Sequence, residues 1–239
     1  MSAETQDVSF DRSLGLAVGN ALFVAPGGEV RQSANVVEVG PQSIDNLEVT
    51  IQYRFDIATR SVRAIYLFTN PTTELITTEA RINIGNFGGN AAIENTSNGS
   101  AMPRSSTRWF ETAGPDDQDP NANSVLFVAY GKDWNGFQSE TMIRSQSGNG
   151  ANSEYVMDYA LAIPAQRTIG IMVFAQVNSS PVDPPFVDNT FETLVSLSSA
   201  GLLADLPLAS ADILNWSKDP GEKLTFPRIT LRRFPSERS

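Results

Sequence analysis

The stretch of this chain nearest to metal chemistry is "DQDPNAN", residues 117–123. It places Asp117, Asp119, Asn121 and Asn123 at alternating positions, with Asp116 beside them. Hard carboxylate and amide oxygens at that spacing suit Ca²⁺. The loop is not an EF-hand: Ala122 stands where the loop glycine belongs, and Val128 where the bidentate glutamate belongs. Asp, Asn and Pro are also ordinary turn formers. The plainer expectation is therefore a solvated turn, with Ca²⁺ as the one cofactor to test.

A second stretch, "GKDWNGFQSE" (131–140), carries Trp134 and Phe137 beside Asp133, Asn135 and Gln138. A loop with aromatics and amides is a candidate ligand surface, Trp134, Asn135, Phe137 and Gln138 being the residues to hold a sugar ring. Trp109, Trp216 and Tyr130 have the same stacking capacity. The competing expectation for all these rings is packing in the core or at its rim.

Much other chemistry is closed to the chain. It has no cysteine, hence no thiolate nucleophile, disulfide or Cys-ligated metal. It has no histidine, which removes the commonest general base and the usual Ser-His-Asp arrangement. No S-x-x-K motif occurs. "GNFGGN" lacks the lysine of a phosphate loop and reads as a turn needing positive φ. Nothing selects a carboxylate pair for glycoside hydrolysis among the 27 acids. Asn95, Asn98, Asn178 and Asn215 each open an N-x-S/T acceptor pattern, which matters only in a eukaryotic secretory setting. The net charge of −10 argues against nucleic acid and anionic membrane as partners. A protein partner, a glycan or further copies of the chain remain.

The elements that must position these residues read as strands. In "LEVTIQYRF" (47–55), Leu47, Val49, Ile51, Tyr53 and Phe55 face one way and Glu48, Thr50, Gln52 and Arg54 the other. That is a half-buried strand. "SVRAIYLFT" (61–69) is apolar on both faces and reads as central. Asn70-Pro71 then breaks the run, because Pro supplies no N–H and restricts its predecessor. From Ile76 the period is two again. The joint at 70–73 is expected to be a corner between strands and no part of an active site. Further apolar runs lie at 123–131, 154–164 and 168–177, and weaker ones at 13–24, 30–39, 91–96 and 105–110.

After residue 178 the character changes. "NSSPVDPPFVDN" reads as a linker. Asn189 or Thr190 is expected to cap a helix carrying Phe191, Leu194, Val195 and Leu197, and Ser210 a short helix ending near Trp216. "KLTFPRITLRRF" (223–234) is expected to be a final edge strand, given Pro227. Many short strands with Gly, Pro and Asn punctuation indicate one mostly β domain over 1–239, an antiparallel β-sandwich with a short helical segment near its C-terminus and residues 1–12 flexible.

Several segments resemble a β-rich module of bacterial exported and surface proteins with no assigned catalytic activity. They are "PQSIDNLEVTIQYRFD", "VRAIYLFTNPTTELITTEARINIGNFGGN", "STRWFETAGPDDQDPN", "IPAQRTIGIMVFAQVN" and "SLSSAGLLADLPLASADILNWS". The resemblance spans about residues 14–217 and implies an exported β-sandwich with no catalytic residue to carry over. The chain departs from that pattern in showing no basic-then-apolar leader and no anchoring tail. The expectation is a non-enzymatic, extracellular or surface-associated structural or adhesive module. A virion or other assembly subunit is the first alternative; a carbohydrate-binding or carbohydrate-cleaving domain is the second.

Overall fold

Strict apolar–polar alternation produces strands with one wet face, and runs apolar on both faces produce strands covered on both sides. Both kinds form where the sequence places them. The structure, a computed structural model, describes residues 14–24, 30–87, 93–100, 103, 106–112, 124–132, 141–145, 153–179, 181–203 and 212–219. In chain order the strands are β1 (Gly15–Val18), β2 (Ala21–Leu22), β3 (Val30–Ser33), β4 (Val36–Ile44), β5 (Leu47–Asp56), β6 (Ser61–Thr69) and β7 (Ile76–Phe87). Then come β8 (Ile93–Thr96), β9 (Trp109–Thr112), β10 (Ser124–Val128), β11 (Thr141–Ser145), β12 (Ser153–Ile163) and β13 (Thr168–Asn178). Two helices, α1 (Pro184–Thr190) and α2 (Leu194–Ser199), precede the two-residue β14 (Asp212–Ile213). The expected strand at 223–234 and the N-terminal residues 1–12 lie outside the described residues.

The strands make a sandwich of two sheets. The smaller has five, in the order β11-β12-β7-β1-β2. The larger has nine: β3-β4-β5-β6-β13-β10-β9-β8, with β14 added alongside β13. All pairings are antiparallel except β14 on β13.

One apolar layer lies between the sheets. It joins Val49 and Ile51 of β5, Tyr66 and Phe68 of β6, and Ile171 and Val173 of β13 to Leu16, Ile82 and Tyr159 of the smaller sheet. A second layer covers the outer face of the larger sheet. There Ile65, Leu126, Met172 and Phe174 pack under Val187, Phe191, Leu197 and Trp216. Consecutive residues of β6 and β13 thus belong to different layers, which is why these strands are apolar on both faces.

The connection from β6 to β7 leaves the larger sheet for the smaller, and that from β12 to β13 returns. Both corners lie at one end of the sandwich, because Thr69 pairs with Thr168 and Ile76 with Ile163. Asn70 occupies the first corner, fully buried. In β4 a bulge between Val39 and Gln42 is built on Gly40, whose φ is +108°. A Cβ there would sit 2.8 Å from the Val49 carbonyl oxygen, so only glycine fits.

The C-terminal segment differs from expectation. "NSSPVDPPFVDN" is not all linker: α1 begins inside it, at Pro184. Proline is pre-set for a first helical turn, where its missing N–H is not needed. Asn189 and Thr190 therefore end α1 and cap nothing, and Phe191 falls between the helices. The second helix starts at Leu194, behind a capping box in which Thr193 and Ser196 exchange side chain–backbone bonds. Residues 212–216 are strand and turn, not the expected helix. Ile213 packs close over the β13 backbone at Gly170, where an added Cβ would lie 2.6 Å from Ile213 Cδ1.

Candidate functional site: the open end of the sandwich

The two ends of the sandwich are unlike. At the corner end, Asn70 fastens the sheets together. At the opposite end, inward positions of four neighbouring strands stand in one row across the larger sheet. Phe55 pairs with Val62, Val62 with Ala175, and Ala175 with Phe127. Val177 pairs with Val125 one step further out. With Leu14 and the β5–β6 turn, these residues line a hollow of about 330 Å³.

The turn that borders the hollow is held by its own polar groups. Asp56 Oδ1 accepts from the Ala58 N–H at 2.9 Å and from the Thr59 N–H at 3.3 Å. The Thr59 and Ser61 hydroxyls bond at 2.7 Å. Arg60 adopts φ +51°, a left-handed conformation that costs a residue with a Cβ, and its carbonyl accepts from the Val177 N–H at 3.0 Å. The carbonyl of Leu14, the hollow's other polar neighbour, accepts from Tyr66 Oη at 2.8 Å and Tyr53 Oη at 3.2 Å. What faces the space is apolar, and several of its walls are wet: Ile57 is 90% exposed, Phe55 46% and Val177 36%. An apolar concavity with a few polar groups on its rim has room for an apolar group.

Elsewhere the buried polar side chains serve the fold. Fully buried Glu111 accepts from Ser124 Oγ (2.6 Å), Asn95 Nδ2 (3.1 Å) and the Val182 N–H (2.9 Å), pinning the segment that leads to α1. Asp188 of α1 pairs with Arg108 and accepts from Trp109 Nε1 at 2.9 Å. Asn215 stands beside β13 like an extra peptide group. Its Oδ1 accepts from the Met172 N–H at 3.0 Å, and its Nδ2 donates to the carbonyls of Met172 (2.7 Å) and Ala129 (2.6 Å). A glycan on Asn215 is incompatible with these bonds, whereas Asn98 is exposed.

Four tyrosines sit in or beside the layer between the sheets. Burial pushes the phenols of Tyr53 and Tyr130 up to about 12, with Arg108 pulling Tyr130 back slightly. Burial also raises Tyr66 and Tyr159 well above the usual phenol range, and neighbouring phenols add to it. None of the four is a base or nucleophile near neutral pH.

The residues that the sequence singles out for metal and ligand fall in two segments flanking β10. Asp116, Asp117, Asp119, Asn121 and Asn123 lie outside the described residues, as do Trp134, Asn135, Phe137 and Gln138. Their loops depart from opposite ends of β10. The acidic loop joins Thr112 to Ser124, at the open end, where Thr112 pairs with Val125. The aromatic loop departs beyond Lys132, which Glu192 holds through the Lys132 N–H (2.8 Å) and Nζ (2.7 Å). Trp109, Trp216 and Tyr130 are buried, so no sugar can stack on them. Among the described residues, no group of three or more acidic side chains converges as for a metal, and no helix is long and apolar enough to cross a membrane.

Sequence reasoning does not reach the hollow. Its only signal is an apolar residue in a hairpin turn, Ile57 of "FDIATR", following an apolar position at the strand end, Phe55.

No protein-family model matches the chain, and no curated protein matches it in sequence. Among solved structures it is similar to Slr1438 of Synechocystis sp. PCC 6803, with 11% identity and a TM-score of 0.41 over 64% of this chain and 66% of that one. It is also similar to the heparan sulfate lyase HepC of Pedobacter heparinus, with 12% identity and a TM-score of 0.44 over 70% of this chain and 24% of that one. A galactose mutarotase-like protein of Lactobacillus casei ATCC 334 gives 11% identity and a TM-score of 0.42, over 62% and 72%. The chain thus spans just under two thirds of Slr1438 and about a quarter of the lyase. At such identity and TM-score the likeness transfers no activity.

Proposed function

We propose that this chain is a non-enzymatic, extracellular or surface-associated structural or adhesive module that works by contact through the open end of its sandwich. The observation that supports this most is the hollow under the β5–β6 turn, whose walls are mostly apolar and where Asp56 and the Leu14 carbonyl bond within the fold. Exposed apolar surface gathered at one concave place marks an interaction site. The resemblance to modules of exported proteins agrees with such a role. A subunit of a larger assembly is the second reading, favoured by Phe186, an aromatic on α1 that is 52% exposed. A carbohydrate-binding role rests on the loop at 131–140 alone.

Titration with an apolar fluorescent dye such as anilinonaphthalene sulfonate tests the reading. One saturable site is expected in the native protein, lost in Val177→Asp with melting temperature unchanged. Absence of the site, or its survival in Val177→Asp, would overturn the role given to the hollow.

A further inference from the structure

We infer that the hollow receives Phe186 from a second copy of this chain, so that copies associate head to tail. The inference rests on the contact role proposed for the open end and names its partner.

The two surfaces are distinct and complementary. Val187 packs into the layer on the outer face of the larger sheet, and its neighbour Phe186 projects from that layer into solvent. The hollow opens on the inner face of the same sheet, in the other apolar layer. A sheet lies between them, so Phe186 cannot enter the hollow of its own molecule. Size agrees: a dry cavity of about 150 Å³ accepts a benzene ring, and this hollow is about 330 Å³. Charge agrees as well. Asp183, the exposed residue that opens α1, stands three positions before Phe186, and exposed Arg60 stands on the rim of the hollow. Asp56, the acid on that rim, already accepts two N–H bonds from its own turn.

A contact between two different surfaces is heterologous. It yields rings if its rotation closes and open chains if it does not. A single aromatic knob with one charge pair makes a small interface, so dissociation on dilution is expected. Opposite charges at its edge are expected to make it weaken with salt.

Sedimentation velocity over a dilution series tests this with the full chain. The wild type is expected to associate as concentration rises, and less so at high salt. Phe186→Ser removes the knob and Val177→Asp spoils the hollow, so each alone is expected to stay monomeric. An equimolar mixture of the two is expected to form a dimer that grows no further, because one intact hollow meets one intact knob. A wild type that stays monomeric at every concentration overturns the inference, as do variants that associate like the wild type or a mixture that stays monomeric. Dye binding separates the two levels: a monomeric wild type whose hollow still binds dye sinks the partner assignment and leaves the contact role standing.

Discussion

The side-chain amide of Asn70 donates to the carbonyl oxygen of Ile163 at 2.9 Å, joining positions 93 residues apart in the chain. The same amide donates to the Glu74 carbonyl at 2.7 Å, and its Oδ1 accepts from the Thr72 N–H at 2.9 Å and the Thr72 hydroxyl at 2.7 Å. One buried side chain thereby locks its own corner and ties it to the place where β12 leaves for the other sheet. Asn70→Ala leaves the Ile163 carbonyl without this donor and frees the Thr72 turn, and is expected to destabilise by about 1–3 kcal/mol in urea unfolding. Pro71→Ala is expected to cost about 0.5 kcal/mol or less, since Pro71 is exposed and the bonds around it belong to Asn70. Equal losses for the two would show that the proline, not the amide, makes the corner.

Position along β5 decides what an apolar side chain contributes. Ile51 is 2% exposed, in the middle of the layer between the sheets, whereas Phe55 stands at the mouth of the hollow. Ile51→Ala is expected to cost about 2–5 kcal/mol. Phe55→Ala is expected to cost well under half of that and to weaken dye binding. A Phe55→Ala loss as large as that of Ile51→Ala would mean that the hollow is core.

Glu111 gathers donors from three places: β8, the start of β10 and residue 182. Replacing it by alanine removes the shared acceptor of one buried and two half-buried donors, at an expected cost of about 1–3 kcal/mol. Glu111→Gln keeps one acceptor oxygen but turns an NH₂ toward other donors, so an intermediate loss is expected. Urea midpoints for the three proteins check the order; a glutamine variant as stable as the wild type would mean that one oxygen suffices.

Alkaline pH reads the buried phenols. Their folded pKa values are raised, so the native state keeps its protons while the unfolded chain releases them from about pH 10 upward. Unfolding is then favoured as pH rises, by up to about 1.4 kcal/mol per pH unit for each phenol held neutral. Melting temperature is expected to stay level with respect to these groups below about pH 9 and to fall steeply above pH 10. In a titration at 295 nm, most tyrosine absorbance should appear together with unfolding. Ionisation of all the tyrosines near pH 10 in the folded protein would contradict their burial.

Calcium tests the acidic loop. Superimposed melting curves in Ca²⁺ and in EDTA are the expected result, as for a solvated turn. A melting temperature that rises with Ca²⁺, rises less with Mg²⁺, and loses the effect in Asp119→Asn would instead assign a site to Asp117, Asp119, Asn121 and Asn123.

Strand identity was legible in the sequence because it is a local, repeating signal. The alternation from Leu47 to Tyr53 and the doubly apolar 61–69 set face and depth without reference to partners, and β6 begins and ends where its apolar run does. The Asn70-Pro71 break was legible for the same reason, since proline acts on its own backbone and that of its predecessor. The absence of His and Cys, likewise a property of the chain alone, closed whole classes of chemistry. Which groups meet was decided only by the tertiary structure. Asn70 finds Ile163, Glu111 finds Val182, and Asn215 finds Met172 and Ala129 through sheet crossings that no local window contains. β14 finds its place beside Ile169 and Gly170 of β13, far from it in sequence. Phe55 obeys the period of its strand and yet stands half in solvent, because burial depends on whether a second sheet covers that end, and alternation within one strand carries no information about how far its neighbours extend.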